Sequence, residues 1–466
     1  MDRTRKWILD QIRLFGENTA KAPALPFSGL LSAKVVEPIL EQLPCKFRDR
    51  VYSPLVTLWV FLSQVFSEDH SCREAVARLM AFRIAQGKQP CSPDTNPYCQ
   101  ARQRLPEPLF EQLVRRTGRA LAEATPAAWR WLGRRVKVVD GTTVSMPDTA
   151  ANQAVYPQPR SQAPGVGFPL ARMVVVFCLA CGAALEMAIG PYRGKQTGEG
   201  ALFRTLWDQL DAQDVVLADR YYCSYVDIAM LGQRQVDVVF RKHQRRHSDF
   251  RRGERLGEHD HLIMWTKPIQ RPEWMDKTTF QQIPEQLTLR EIQFTISQPG
   301  RRVRKVILIT TLLDAETYPR DDLAHLYGIR WQAEIDLRSL KTVMQMDVLR
   351  TKKPATVRKE IWTHLLAYNL IRTVIAQAAD AHGRQPTQIS FKGALQTINA
   401  FREYLLSGPV TEHCLRALLA AIVHHRIGHR PNRYEPRARK RRPKPYKLLQ
   451  MPRQQARKRL PGKTYD

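Results

Sequence analysis

Three acidic residues in this chain stand in settings where carboxylates can do metal-dependent chemistry. Asp140 follows the β-branched run at 136–139, Asp219 follows a second apolar run at 215–218, and Glu334 lies in a segment with helical spacing. Carboxylates at strand ends and on a facing helix can converge, and their oxygens suit Mg²⁺ or Mn²⁺. Taken alone, Asp140 before Gly141 could also merely start a turn.

The segment around Glu334 has an unusual distribution of charge. Pro319, Asp321 and Asp322 supply a helix start signal. Five polar residues are separated by three, four, four and three positions, which places them near a single face of a helix. They are Tyr327, Arg330, Glu334, Arg338 and Lys341. Ordinary surface ion pairs are the plain interpretation. Charge balance does not explain a mostly cationic face with one acid, so we also consider a functional role.

The overall charge indicates a polyanionic partner. The 466 residues include 73 Lys and Arg against 44 Asp and Glu, a formal net charge of +29. Nucleic acid is the first expectation, since no basic amphipathic helix with a strong apolar face stands out for membrane binding. The longest apolar run, 55–66, is too short to span a bilayer. We expect a cytoplasmic, nucleoid-associated protein without a membrane partner.

The spacing Tyr-x2-Arg-x3-Glu-x6-Lys at 327–341 resembles the YREK signature of bacterial DDE transposases of the insertion sequence four family. Asp140-Gly-Thr and Asp219-Arg-Tyr-Tyr resemble the first and second acid motifs of that family. The resemblance implies an RNase H-like fold on which Asp140, Asp219 and Glu334 are the catalytic, metal-binding triad. It also implies that the Tyr, Arg and Lys of the signature hold DNA phosphates. The expected DNA-binding residues are Tyr327, Arg330, Lys341 and, more weakly, Arg338.

Alternating strand and helix signals predict an α/β fold, with strands near 136–144, 173–179, 183–189, 214–218 and 304–310. We expect an RNase H-like core at 131–350, within which 241–304 is a mainly β insertion. A helical domain at 1–130 precedes the core, with candidate helices at 5–15, 55–67, 73–85 and 109–124. That domain either binds DNA ends or is a plain packing domain. A helical region at 351–425 and a basic tail at 426–466 follow.

The tail contains fifteen Lys and Arg against two acidic residues. Such a run binds phosphates without sequence preference. Four histidines in the insertion invite a metal interpretation, but their basic, irregular setting favours solvated or phosphate-facing side chains; they are His243, His247, His259 and His261. Some relatives stack a flipped base on a Trp where this chain has Val306, and Trp265 or Trp331 could replace it.

The expected function is that of a DNA transposase. Three carboxylates can hold two Mg²⁺ ions, with Mn²⁺ as a substitute, for cleavage of the element ends and transfer of the 3′ ends to target DNA. The resemblance further implies cut-and-paste movement through a hairpin intermediate, and a homodimer bound to the terminal inverted repeats. Two alternatives stay open: a metal-dependent nuclease of the same fold, and a non-catalytic, transposase-derived regulator. The intact set of acids argues against the regulator.

Overall fold

The computed structural model describes residues 31, 33–43, 51–296, 304–407, 412–427 and 448–459. The candidate helix at 5–15 and most of the basic tail lie outside these residues. Among the described residues, five α-helices precede the first strand: α1 (Ala33–Glu41), α2 (Pro54–Phe66), α3 (Cys72–Ala85), α4 (Asn96–Arg104) and α5 (Glu107–Glu123). N-terminal capping residues mark the start of two of these helices. Ser53 caps α2 ahead of Pro54, and the Ser71 hydroxyl accepts from the Glu74 amide at the start of α3.

Helix α4 was not predicted, since prolines dominate the sequence before it. Pro97 sits in the first turn of α4, where its missing amide hydrogen is not needed. Inside the helical region Arg102 is only 5% exposed and lies over the rings of Phe61 and Tyr98. The Pro-rich sequence between α3 and α5 therefore contributes a helix to the core.

A nine-stranded mixed sheet forms the centre of the described molecule. Its strands are β1 (Val136–Ser145), β2 (Leu170–Cys178), β3 (Ala184–Pro191), β4 (Val215–Ala218), β5 (Asp237–Arg241), β6 (Glu254–Gly257), β7 (Asp260–Thr266), β8 (Gln286–Ile296) and β9 (Arg304–Thr310). Their order is β3-β2-β1-β4-β5-β9-β8-β7-β6. Strands β1, β4 and β5 are parallel neighbours, while every other pairing is antiparallel. The expected α/β class is confirmed.

Both faces of the central strands are buried, which explains their continuous apolar sequence. Val215 and Leu217 of β4 join one hydrophobic cluster, and Val216 and Ala218 join the other. The first cluster includes α5 and the long helix α12 (Pro354–Ala381). The second includes α7 (Glu199–Arg204) and α8 (Tyr225–Gln233). The sheet is thus sandwiched between two helical layers.

Strands from the expected insertion extend this same sheet. Strand β9 pairs with β5, and β8, β7 and β6 continue outward from β9. Helix α9 (Lys277–Gln282) lies between β7 and β8. The expectation of a solvated or phosphate-facing histidine is wrong for His261, which is 1% exposed with its Nε2 2.9 Å from the Glu291 carboxylate. Lys242 binds the same carboxylate at 2.5 Å, so this polar group is structural.

The described residues contain six further helices. They are α6 (Ala150–Val155), α10 (Arg320–Ile329), α11 (Trp331–Arg338), α13 (Phe391–Ser407), α14 (Glu412–His424) and α15 (Arg453–Lys458). Helix α12 contacts α2, α5, α13 and α14, which makes it the central helix of its layer. Among the described helices, none combines the length and the apolar character needed to cross a membrane.

Candidate active site

The sheet register brings Asp140 and Asp219 to neighbouring positions. In the parallel pair β1 and β4, Val138 lies opposite Leu217, and each acid comes two residues later in its own strand direction. Adjacent strands are about 4.8 Å apart, so the two carboxylates start from neighbouring backbones. Asp219 accepts a hydrogen bond from the Arg220 amide at 2.6 Å as β4 gives way to a 3-10 turn.

Asp140 does not start a turn. Strand β1 continues through Gly141 to Ser145 and stays paired with β2, with Asp140 opposite Val175. The acid is therefore held by a paired strand on one side, while its carboxylate accepts from the Gly141 amide at 3.0 Å. A carboxylate on a paired strand is more precisely placed than one on a free turn.

Glu334 reaches the site from helix α11, which contacts β1. The spacing predicted one regular helix around Glu334, but the structure divides this segment into three parts. Helix α10 ends at Ile329, α11 begins at Trp331, and a π-helical turn covers Ser339–Val343. Arg330 keeps right-handed helical angles between α10 and α11, so the chain direction continues through this junction. Its guanidinium lies 3.1 Å from the Glu334 carboxylate.

Arg330 is a cation whose charge acts on all three acids. Its charge interacts with those of Asp140, Asp219 and Glu334, and its side chain is 15% exposed. Across the described ranges, no group of three or more His, Cys, Asp or Glu side chains is arranged to hold a metal ion. The Arg330 guanidinium offsets part of the repulsion among these acids.

The other cations of the signature differ in their surroundings. Lys341 donates to the Thr142 hydroxyl at 3.1 Å, which links the π-helical turn to β1 two residues beyond Asp140. Arg338 is exposed at the end of α11. Tyr327 is 7% exposed, and burial raises the pKa of its hydroxyl. Of the expected DNA-binding residues, Arg330 and Lys341 thus lie beside the acids, Arg338 is open to solvent, and Tyr327 is buried.

The tryptophan candidates for base stacking are now distinguishable. Val306 is 3% exposed inside β9, and Trp265 is 7% exposed beneath the Arg246 guanidinium at 3.8 Å. Trp331 is 57% exposed and directly follows Arg330. In the described chain, Trp331 has the free ring surface that stacking on a base requires, and Val306 and Trp265 do not.

A fourth acid, Glu199, lies beside Asp140 and was not predicted to have a role. It occupies the first turn of α7, and its side chain packs against Gly141. A Cβ on Gly141 would lie 2.3 Å from Cδ of Glu199. Glycine inside a strand signals a close approach of another group, and that signal was present in the Asp140-Gly141 pair. The sequence interpretation treated Gly141 as a turn residue and so missed it.

The electrostatics of Asp140 predict a pH-dependent stability. Burial raises its pKa from 3.8 to about 6, against the lowering effect of Arg330, and Glu334 and Glu199 add to the rise. The folded protein thus binds this proton more tightly than the unfolded chain. The free energy of unfolding of the metal-free protein therefore falls as the pH rises through that interval. Asp140→Asn lacks this titration.

We expect the melting temperature of Asp140→Asn, relative to that of the original protein, to rise between about pH 4 and about pH 6 in a chelator. Differential scanning calorimetry of both proteins measures this difference. The exposed acid Glu254 supplies the control, because Glu254→Gln should show a constant difference over the same interval. A constant difference for Asp140→Asn as well would contradict the raised pKa.

Comparisons with known proteins identify the family of this chain. A family model described as Transposase DDE domain matches residues 131–370, which contain all four acids. Transposase InsG for insertion sequence element IS4 of Escherichia coli (strain K12) is 29% identical over 302 residues, covering 63% of this chain and 64% of InsG. The aligned part is therefore less than two thirds of that relative. Putative transposase InsL for insertion sequence element IS186A of the same strain is 34% identical over 74 residues, 16% of this chain and 20% of InsL.

Among solved structures, a piggyBac transposase synaptic complex with hairpin DNA aligns with a TM-score of 0.42 and 11% identity, over 85% of this chain and 84% of that one. The InsG match confirms the predicted resemblance to the insertion sequence four family. The family model spans just over half of the chain and includes β1, β4 and α11. The chain therefore belongs to the DDE transposase family.

Proposed function

We propose that this protein cleaves the DNA ends of its own insertion sequence and joins the freed 3′ ends to target DNA. The observation that most strongly supports this function is that the charges of Asp140, Asp219 and Glu334 all act on Arg330 within the matched family domain. The InsG relative is named as the transposase of an insertion sequence element. Asp140, Asp219 and Glu334 are the proposed catalytic and metal-binding residues.

The acids fit a divalent cation by their chemistry. The proposed donors are carboxylate oxygens, which suit Mg²⁺ or Mn²⁺. The pKa of Asp140 is raised by burial and by other acids, so a cation would relieve the cost of ionising it. Such ions, when bound as a pair, activate the attacking oxygen and stabilise the leaving 3′ oxygen. Arg330 then serves to orient Glu334 and to offset phosphate charge beside the acids.

DNA is the proposed partner, in keeping with the formal net charge of +29. Lys341 and Arg330 lie beside the acids and are suited to neighbouring phosphates, with Arg330 able to grip two oxygens at once. Arg338 is exposed on the same segment and is proposed as an outer contact. Tyr327 would need its hydroxyl uncovered to bind phosphate, so we propose for it mainly the support of Arg330, whose guanidinium lies 5.7 Å from the ring centre.

The proposed domain layout rests on the strand order of the sheet and on the family resemblance. The order β3-β2-β1-β4-β5, with three antiparallel strands followed by parallel neighbours, supports an RNase H-like core within 131–350. We assign 241–304 to an insertion in that core, 1–130 to DNA-end binding, 351–425 to a helical region and 426–466 to a phosphate-binding tail. A hairpin intermediate, cut-and-paste movement and a homodimer on DNA remain parts of the proposal, based on the family resemblance. So does a cytoplasmic location at the nucleoid.

An excision assay tests the function in cells. A reporter gene is interrupted by a marker bounded by the DNA that flanks this gene, and the protein is supplied in trans. We expect reporter restoration with the original protein and none with Glu334→Ala, since metal-dependent strand cleavage needs the third acid. Excision by Glu334→Ala would contradict the assigned site. Excision by neither protein would contradict transposition of this element, and a Mg²⁺-dependent nicking assay then separates a nuclease from a non-catalytic regulator.

A further inference from the structure

Two cysteines of the helical region contact the same buried arginine. Cys72 is the first residue of α3, Cys99 lies in α4, and their Sγ atoms are 3.9 Å apart. Arg102 follows Cys99 by three residues on α4. It donates from Nη2 to the Sγ of Cys72 at 3.3 Å and to the Sγ of Cys99 at 3.4 Å. One nitrogen of the guanidinium therefore contacts both sulfur atoms.

Arg102 is a buried cation that forms no ion pair with a carboxylate in the part of the chain that the structure describes. Besides the two sulfur atoms it donates to the amide oxygen of Gln64 at 3.1 Å, and its Nε has no partner among the described residues. The rings of Phe61 and Tyr98 lie beneath the guanidinium. A guanidinium stays protonated, and burial of its charge is costly without a compensating anion. The two thiols are in position to supply that anion as a thiolate.

The electrostatic surroundings of the two thiols favour ionisation of one of them. The hydrogen bond to Cys72 and the Arg102 charge lower the pKa of the Cys99 thiol to about 5. Burial and the Asp94 charge act in the opposite direction. For the Cys72 thiol, the same hydrogen bond, burial and the Glu360 charge raise the pKa. At neutral pH the pair therefore holds one negative charge and one proton, which is the arrangement of a reactive thiolate beside a resolving thiol.

The positions of the two side chains permit oxidation. Cys72 and Cys99 are half-buried rather than enclosed, so a molecule as small as hydrogen peroxide has access to them. Helix α3 packs against α4, which keeps the two sulfur atoms adjacent. A disulfide requires these atoms to approach one another by about 2 Å. The site thus combines a thiolate, a neighbouring thiol and access for an oxidant.

We propose that Cys72 and Cys99 form a peroxide-sensitive dithiol that closes to a disulfide between α3 and α4, with Arg102 holding the thiolate. The Cys99 thiolate attacks one peroxide oxygen, the O–O bond breaks, and hydroxide leaves, so that the sulfur is oxidised by two electrons to a sulfenic acid. The Cys72 thiol then attacks this sulfur, the S–S bond forms, and the S–O bond breaks with release of water that carries the thiol proton. A dithiol reductant reverses the change by thiol exchange. This inference goes beyond the proposed function and does not depend on it.

The experiment treats the purified full chain with a small excess of hydrogen peroxide and maps its cysteines by mass spectrometry after alkylation. We expect two tryptic peptides joined through Cys72 and Cys99, which dithiothreitol separates. Tandem fragmentation distinguishes Cys99 from Cys91, because both lie on one tryptic peptide. Cys223 is the internal reference and should stay reduced, because it is 6% exposed and burial raises its pKa to about 11.

Arg102→Met tests the source of the reactivity. Methionine keeps much of the side-chain length and removes the cation, so the thiolate population falls and disulfide formation should be at least about tenfold slower at neutral pH. Arg104→Met, at an exposed position of the same helix, is the matched control and should react at the original rate. Cys72→Ser should stop at a sulfenic acid on Cys99, which dimedone traps.

The outcomes separate a reactive pair from two structural thiols. Absence of the disulfide between Cys72 and Cys99 in the original protein, or oxidation of Cys223 at an equal rate, overturns the inference. An Arg102→Met protein that is folded by circular dichroism and reacts as fast as Arg104→Met also overturns it. Disulfide formation in the original protein, with Cys223 reduced, supports the inference even where Arg102→Met does not fold.

Discussion

Replacing Glu334 by Gln should lower the rate of Mg²⁺-dependent cleavage of the element ends by at least about 10³-fold, which corresponds to about 4 kcal/mol of activation free energy. The substitution keeps the side-chain size and removes the negative charge. Glu334 is the acid contributed by α11, and its side chain is 36% exposed beside Arg330. A neutral amide cannot take its share of a divalent cation's charge. The rate is measured on labelled DNA ends with purified protein.

DNA binding by the same variant should be retained. Loss of a negative charge near phosphates does not weaken attraction to DNA, so a gel-shift titration should give equal or slightly tighter binding. Glu316→Gln supplies a control, since Glu316 is exposed shortly before α10 and outside the site. It should cleave at the original rate. Cleavage by Glu334→Gln within about tenfold of the original rate would show that this carboxylate is not in the catalytic set.

The positions of the three predicted acids depend on patterns that a sequence displays directly. Apolar runs before Asp140 and Asp219 correspond to β1 and β4, and parallel pairing of those strands then brings the acids together. The residue spacing around Glu334 predicts a helix, and this periodicity involves only residues near one another in the sequence. Such features need no knowledge of distant contacts. The family and the α/β class were predictable for this reason.

What sequence patterns did not reveal depends on contacts between distant segments. Glu199 precedes Asp219 by twenty positions and meets Gly141 only because α7 packs against β2 and β3, next to β1 in the sheet. His261 has an unremarkable local sequence, yet its Nε2 lies against Glu291 across the β7 and β8 pair. The insertion was expected from its length and polarity. The pairing of its strand β8 with β9 was not, because that pairing depends on which edge of the sheet is free to accept another strand. Packing between distant elements decides these cases.

The junction at Arg330 illustrates a further limit. Residue spacing assumes a regular helix, and the chain instead joins α10 to α11 and then widens into a π-helical turn at Ser339–Val343. The π-helical turn carries Lys341, whose ammonium donates to the Thr142 hydroxyl on β1. Single π-helical turns often occur at functional sites. Here the irregular turn contains the signature Lys, a detail that the spacing of the motif alone does not reveal.

Replacing Arg372 by Met should lower the free energy of unfolding by about 3–5 kcal/mol. Arg372 of α12 forms an ion pair with Asp336 of α11, and each side chain is 2% exposed. Its Nε also donates to the Tyr368 hydroxyl at 2.8 Å. Methionine retains most of the length and leaves the Asp336 carboxylate buried without its cation. Breaking one partner of a buried pair is costly because the remaining charge stays desolvated.

The loss of stability should also affect the active site, since Asp336 follows Glu334 by two residues on the same helix. Urea unfolding measures the stability, and Arg358→Met on the same helix α12 is the matched control. The Arg358 side chain is 40% exposed in its pair with Glu107, so its removal should cost about 1 kcal/mol or less. In the double variant Asp336→Leu with Arg372→Met, the buried charge is gone, and much of the stability should return. Equal losses for Arg372→Met and Arg358→Met would show that the buried pair does not anchor the helix that carries Glu334.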